Sequence, residues 1–558
     1  MTTMLINAEV HTMSASRPRA EAIAWREGKI LAVGTQQEVS LLAGPDAHSV
    51  DAMGAAVLPG FIDAHHHPCV AALYGATLRL SPPKVSDIKG LQRALSEAAQ
   101  HGDQEQWLVA SDWHEGRLAE RRPPTLRELD EAVPDRPLLA LHWSCHRALA
   151  NSKALALAGI SRSTADPSGG EIVRGAQGEP TGLLIERGMS PVESLARRSL
   201  ISTDAESFLL RLASHHQAMA AVGLTRVVDA TVPGDLGALY RVADQRGLLL
   251  VPTVMMPVST SGYLEAPWDV LDGPVTGHQE GMLEVGPVKL VLDGAPTCAM
   301  CLSWWRGAGS MLSAWALSAR QGSLDPIRTA LSLQPRLGLK IRTGIRIYRR
   351  DEAEKIVRAI AERGFAIAAH AIGNEAVELA IDAYDASREQ VRRRAAPRIE
   401  HGTMLDRNLV ARIADLGAAV VVQPHFISTE SYGTAASIPG MRNFPLRWLI
   451  DAGVTVAGSS DYPVAGFAPL DGIRSAVSRR TCYGHIFEED QRLRLEEALA
   501  LYTRNAAEAS GCLDRCGTLE LGKRADIVVL SGPLAQIDQA QVRSTYIEGK
   551  EVYGAVSR

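Results

Sequence analysis

The sequence lacks a surplus of positive charge: 58 Lys and Arg stand against 63 Asp and Glu, a formal net charge of 58 − 63 = −5. A basic nucleic-acid binder is thereby excluded. Long hydrophobic runs are lacking too. A stretch such as GLLLVPTVMMPV (247–258) reaches only about a dozen residues, against the roughly 18 that span a bilayer. The N-terminus, MTTMLINAEVHTMSASRPRA, has no charged segment leading into an apolar one, so it does not read as a signal peptide. Cysteine is sparse and odd in number, seven in all, which argues for free thiols in a reducing compartment. The expected location is the cytoplasm, with no membrane partner. Aromatics make up only 5%. Against these shortages stand 46% hydrophobic and 22% charged residues, an ordinary globular balance, and 16 histidines, the side chain that most often binds metal and titrates near neutrality.

Eight segments share one pattern, a short Val, Ile, Leu and Ala-rich run ending in a polar residue, then a turn, then a helical periodicity. They are AAVLPGFIDAHHH, LTRVVDAT, LLLVPTVMMP, GPVKLVLDG, FAIAAHAIG, PRIEHGT, AAVVVQPHF and VTVAGSSDYP. Amphipathic stretches lie between them, such as Asn374 to Ala386 behind an Asn374 cap and Asp406 to Leu416 ending at Gly417. The expected class is α/β, a (β/α)8 TIM-type barrel whose site lies at the C-terminal strand ends. Spacing tests this: His370 to His401 is 31 residues and His401 to Asp461 is 60, one and two units of about 30. From His67 to the second run there is an excess of roughly 130 residues over one unit, which predicts an inserted α+β subdomain after the first strand. A further excess of about 50 lies between Lys289 and His370. Both ends of the chain alternate like β-strands, and neither can build a core alone. The expected division is a composite β-sandwich from 1–58 and 507–558, a barrel from 59–74 and 200–506, and an insert from 75–199.

Polar residues at the ends of the predicted strands converge on one mouth: His65 and His67 after the first, Lys289 in the fourth, His370 after the fifth, His401 after the sixth and Asp461 after the eighth. Residues two apart on a strand face the same side, so His65 and His67 can share an ion while His66 faces away. Each alone has a structural reading: His370 as a core histidine, Asp461 as a helix cap, Lys289 as a surface lysine. Their order on an independently inferred barrel makes a metal site the stronger reading.

PGFIDAHHHP, the fourth-strand Lys, HAIG, RIEHG, GSSDYPV and the tail LYTRNAAEASGCLDRCGTLELGKRADIVVL resemble the amidohydrolase superfamily. HRALANSKALALAGI, GGEIVRGAQGEPTGLL, VKLVLDG and HAIGNEAVELAIDAY resemble its amidohydrolase family 3 branch, which includes N-substituted formamide deformylases. The resemblance covers nearly the whole chain. It implies a binuclear, usually zinc, centre: His65 and His67 with Asp461 on one ion, His370 and His401 on the other, and Lys289 bridging both as a carboxylated lysine. It implies hydrolysis of a non-peptide C–N bond of a small amide, N-substituted formamide-like, by metal-activated hydroxide with Asp461 as general base and acid. Ester or lactone hydrolysis, metal-assisted isomerisation, and a non-catalytic binding or regulatory role on the same fold stay open.

For the substrate pocket, Trp113 and His114 stand where the family usually has a Trp-Asp pair, and His146 and Asn151 fall in a segment near its substrate, with a helix cap an equal reading for Asn151. The 302–350 loop, with Trp304, Trp305 and Trp315 and a basic string from Arg336 to Arg350, is either a lid, which loops at this barrel face favour, or satellite core packing. Cys298 and Cys301, and Cys512 and Cys516, read as structural thiols. The sandwich edge and outer helices offer surfaces for a homodimer.

Overall fold

A computed structural model describes residues 1–75, 77–101, 106–294, 298–332, 335–429 and 436–554. Residues 555–558 of the expected C-terminal piece lie outside it. Each of the eight apolar runs contains a strand: Phe61–His66, Leu224–Val232, Thr253–Pro257, Val288–Val291, Ile367–Ala371, Arg398–His401, Ala419–Val422 and Val456–Gly458. Nearly every residue in them is buried, because helices and the partner sheet cover both faces, and so they read as continuous apolar runs.

These strands pair as two five-stranded sheets. The first three run parallel and are continued by Leu283–Val285 and the antiparallel Gln279–Glu280; the fourth to eighth form an all-parallel sheet in sequence order. Among the described residues the ladders do not close into one barrel. Backbone bonds cross one seam, between the eighth and first strands: Asp461 N–H donates to His65 O at 2.8 Å and His67 N–H donates to Tyr462 O at 3.1 Å. The fold is mixed α/β.

Helix boundaries follow local chemistry. Arg407–Leu416 starts where the Asp406 side chain accepts from Leu409 N at 3.1 Å and stops at Gly417, whose φ of 67° suits a residue without Cβ. The helix at Asn374–Asp385 forms as expected, but its N-cap is Gly373. Asn374 instead ties a neighbouring strand, accepting from Cys301 N and donating to Cys301 O, both at 3.0 Å.

The insert is built on a six-stranded sheet in the order Gly170–Arg174, Pro180–Glu186, Arg147–Ala150, Leu138–His142, Leu108–Trp113, Leu78–Arg79. The helix Ser190–Ala221 runs across the expected junction at 199/200, with Asp204 out of helical conformation (φ −144°, ψ 38°). Strands from both chain ends pair antiparallel, Ala56–Pro59 against Ile527–Leu530, within a six-stranded sheet. Trp25 fastens this joint: its Nε1–H donates to Gly549 O at 3.0 Å and its ring meets Tyr546 edge-on at 5.2 Å.

Candidate metal centre and cleft

The first strand ends at His66, and His67 takes φ −136°, ψ 66° as the cap of the helix Pro68–Tyr74. His65 Nε2 and His67 Nε2 thereby both face Asp461 Oδ1, at 3.3 and 2.9 Å. Asp461 is reached from the other side of the molecule, just past the eighth strand, and its left-handed φ of 56° turns the carboxylate inward. Its backbone N–H bond to His65 O fixes the approach. His65, His67 and Asp461 form a group whose ligand atoms lie within 4.8 Å of one another. His66 points elsewhere, as alternation requires: Nδ1 lies 2.9 Å from Ser460 Oγ and Nε2 lies 2.8 Å from His215.

His370 and His401 complete a ring of imidazoles. Their ring centroids are 4.3 Å apart, and His401 is 4.9 Å from His65. His370 Nε2 and His401 Nε2 are buried without hydrogen-bond partners. Such nitrogens cost free energy unless something accepts their lone pairs, and neutral imidazole is what a cation needs. Burial, then the neighbouring imidazoles, hold His370 well below the ordinary range. Burial holds His401 down to about 3 despite the Asp461 charge. Burial would raise Asp461, but hydrogen bonds from His65 and His67 outweigh it and keep the carboxyl well below the usual range. Lys289 is buried in the same wall, and desolvation lowers it to about 8 against the pull of Glu400 and Asp461. The donor set of four imidazoles, one carboxylate and one lysine, two of the imidazoles with orphaned nitrogens, fits divalent cations.

Three groups in contact with these candidate ligands were not singled out from sequence. Glu400 Oε2 lies 2.5 Å from His65 Nδ1 while Arg398 donates to both of its oxygens, at 2.8 and 3.1 Å. Gln423 Oε1 sits 2.8 Å from His401 Nδ1, and Thr231 Oγ1 sits 2.9 Å from His67 Nδ1. Glu400 was legible as an acid inside an apolar strand, RIEH, beside a candidate ligand. For Gln423 and Thr231 the sequence offers no signal.

The ligands line a cleft enclosing about 880 Å³ of non-atom space, open solvent at its mouth included. The insert supplies Leu141, His146 and Met189 to its wall, and Val70, Leu73 and Tyr263 make much of the rest apolar. His146 stands beside His370, ring centroids 5.2 Å apart, with Nδ1 2.9 Å from the buried carboxylate of Glu186. The other pocket candidates lie elsewhere. Trp113 is core of the insert, its Nε1–H donating to Ala140 O at 3.0 Å. His114 caps a short 3-10 turn through Nδ1, which accepts from Gly116 N at 2.7 Å. Asn151 is a buried cap: Oδ1 accepts from Ala154 N and Leu138 N, and Nδ2 donates to the Val133 and Arg136 carbonyls. Trp304 and Trp305 are exposed on the outer face of a helix, Trp304–Gln321, inside the segment read as a loop.

The sequence pattern described as the amidohydrolase family matches residues 49–553. An N-substituted formamide deformylase of Arthrobacter pascens is 31% identical over 98% of this chain and 97% of its own length. The protein LONG AFTER FAR-RED 3 of Arabidopsis thaliana is 28% identical over 99% of this chain and 91% of its own. A crystal structure of an uncharacterized metal-dependent hydrolase from Pyrococcus horikoshii OT3 superimposes with a TM-score of 0.68 at 20% identity, covering 95% of this chain and 97% of that one.

Proposed function

The chain belongs to the amidohydrolase family and is a hydrolase acting on carbon–nitrogen bonds, and from that membership we propose that it cleaves a small, non-peptide amide at the His65, His67, Lys289, His370, His401 and Asp461 centre. The observation that carries the reading is the pair of buried, partnerless imidazole nitrogens on His370 and His401, set in one cleft with the His65, His67 and Asp461 group. We read the eight strands as a (β/α)8 barrel, a reading supported by the strand order and by the backbone bonds that cross the seam between the eighth and first strands.

His65, His67 and Asp461 would hold one zinc ion and His370 and His401 a second, with Lys289 between them. Bound ions would supply the Lewis acidity that makes water nucleophilic at neutral pH and polarises a substrate carbonyl. Burial lowers Lys289 to about 8, so a good share of its amine is neutral near pH 8, the form that could add carbon dioxide with loss of one proton and so offer the ions a carboxylate. Glu400 holds the Nδ1 proton of His65 and so points the Nε2 lone pair at the centre. Asp461, ionised at neutral pH, accepts the proton of the attacking water and passes it to the leaving nitrogen, which would otherwise depart as an amide anion. An N-substituted formamide is the favoured substrate, from the likeness to the Arthrobacter enzyme. The mostly apolar cleft wall suits a hydrophobic N-substituent.

Chelation should abolish amide hydrolysis and zinc should restore it, with about two ions per chain on metal analysis. Full turnover by metal-free protein refutes the metal reading. Faster cleavage of esters or lactones than of N-substituted formamides refutes the substrate reading while leaving the centre intact.

A further inference from the structure

The helix Trp304–Gln321 is built inside out. Its buried residues are the small Ala314 and Ser318. Its outward stripe is Trp304, Trp305, Ala308, Leu312, Trp315 and Ala319, all exposed, at the spacing that keeps one face of a helix. Trp304, Trp305 and Trp315 are 51%, 59% and 60% exposed and Leu312 is 71% exposed. The helix is anchored from behind by Arg306, both of whose terminal nitrogens donate to Asp406 Oδ2 at 3.1 Å. The stripe continues into the segment 335–340, where Leu337 and the fully exposed Leu339 project and Trp304 Nε1–H donates to Gly338 O at 3.1 Å. Exposed apolar side chains gathered on one face in this way mark an interaction site.

Charge identifies what covers it. Residues 302–350 carry nine Arg and Lys against one acid, Asp325; Arg306, Arg328, Arg342, Arg346, Arg349 and Arg350 face Asp406, Asp325, Glu375, Asp351 and Asp382, and the exposed Arg320, Arg336 and Lys340 give the apolar face its positive charge. Arg320, Arg328, Arg336, Lys340 and Arg342 are all exposed along this segment, Arg336 and Lys340 directly flanking the projecting leucines. A second copy meeting this face symmetrically would set these cations against their own kind. An anionic bilayer surface meets both demands: apolar side chains enter the headgroup boundary, tryptophans sit at it, and Lys and Arg reach the phosphates.

We propose that the helix Trp304–Gln321 and the segment 335–342 form a docking surface for anionic phospholipid membranes. No described helix is long and apolar enough to cross a membrane, and a segment lying in the interface plane needs none. The expectation of no membrane partner rested on spanning runs alone. The proposal stands independently of the reaction.

The test is cosedimentation of the full chain with vesicles of phosphatidylcholine, with and without phosphatidylglycerol, at low and high salt. Binding should require phosphatidylglycerol and fall with salt. Arg336→Gln/Lys340→Gln should weaken partitioning roughly 25-fold, about fivefold per charge. Leu312→Ser/Leu337→Ser/Leu339→Ser should abolish it, with the thermal melt little changed because these side chains are 71%, 69% and 100% exposed. Equal binding to neutral vesicles, equal binding by the charge variant, or no binding at all overturns the proposal. So does a dimer of the parent protein that the triple variant disperses while vesicles go unbound.

Discussion

Replacing Glu400 with glutamine keeps the shape of a buried side chain and removes its charge. Glu400 Oε1 accepts from Arg398 Nε at 2.8 Å, while Oε2 accepts from Arg398 Nη2 at 3.1 Å and faces His65 Nδ1 at 2.5 Å. The amide has only one oxygen to offer. If it serves His65, its NH2 is pressed against the Arg398 Nε–H; if it serves Arg398 Nε, its NH2 is pressed against His65 Nδ1–H. Either way a donor faces a donor in a buried site and the Arg398 guanidinium loses its counter-charge. Removing one partner of a buried ion pair costs about 3–5 kcal/mol. Arg398 still donates to Ala64 O at 2.7 Å, which puts the expected loss near the lower end, roughly 3 kcal/mol. His65 also loses the group that fixes its tautomer, so zinc affinity should fall roughly 10–100-fold. Urea unfolding of metal-free protein reads the first effect, and competition for zinc with a chromophoric chelator reads the second. Stability within about 1 kcal/mol of the parent, together with unchanged zinc affinity, would refute the assignment of Glu400 as the group that orients His65.

Asn151→Ala should lose about 3 kcal/mol of stability, from the helix cap and the buried backbone groups it serves. Its KM for any substrate should stay within about twofold of the parent, since this side chain lies outside the cleft; a large KM change at unchanged urea midpoint would return it to the pocket. His216 is buried with Nδ1 accepting from Val251 N at 3.1 Å, and burial holds it down to about 3 from 6.5. A folded-state pKa below the unfolded one makes its contribution complete above pH 6.5, with the loss accumulating as pH falls toward 3. The cost from this one group is about 2 kcal/mol by pH 5. His216→Gln should flatten that part of the stability profile measured by urea midpoint between neutrality and pH 5, and an unchanged profile would remove His216 as a cause of acid sensitivity.

The eight strands and the candidate ligand residues were legible because both are local or periodic facts. An apolar run ending in a polar residue marks a strand whose last side chain reaches the mouth, and HxH places two imidazoles on one side wherever the strand lies. Their order at the ends of the predicted strands grouped His370, His401 and Asp461 with them, and the family resemblance divided the set between two ions. Asp406 and Gly417 bracket their helix by side-chain chemistry alone, whereas Asn374 had a capping residue's identity and was drawn instead to a strand that only the fold brings beside it. The pocket assignments at Trp113, His114 and Asn151 departed from the structure for the same reason: motif position says which segment approaches the cleft, and burial against Ala140, Gly116 or Leu138 decides which way each side chain turns.

The sequence by itself determined the kinds of candidate ligand, their order along the chain, the strands that carry them and the size of the insertions between them, since composition and spacing are one-dimensional quantities. Only the tertiary structure decided that Glu400, Gln423 and Thr231 stand behind the three histidines, that His146 faces His370 across the cleft, and that the tryptophans of 304–315 look outward. Those are contacts between residues tens to hundreds of positions apart, fixed by sheet register and backbone turns such as Asp461 at φ 56°, and no local pattern encodes them.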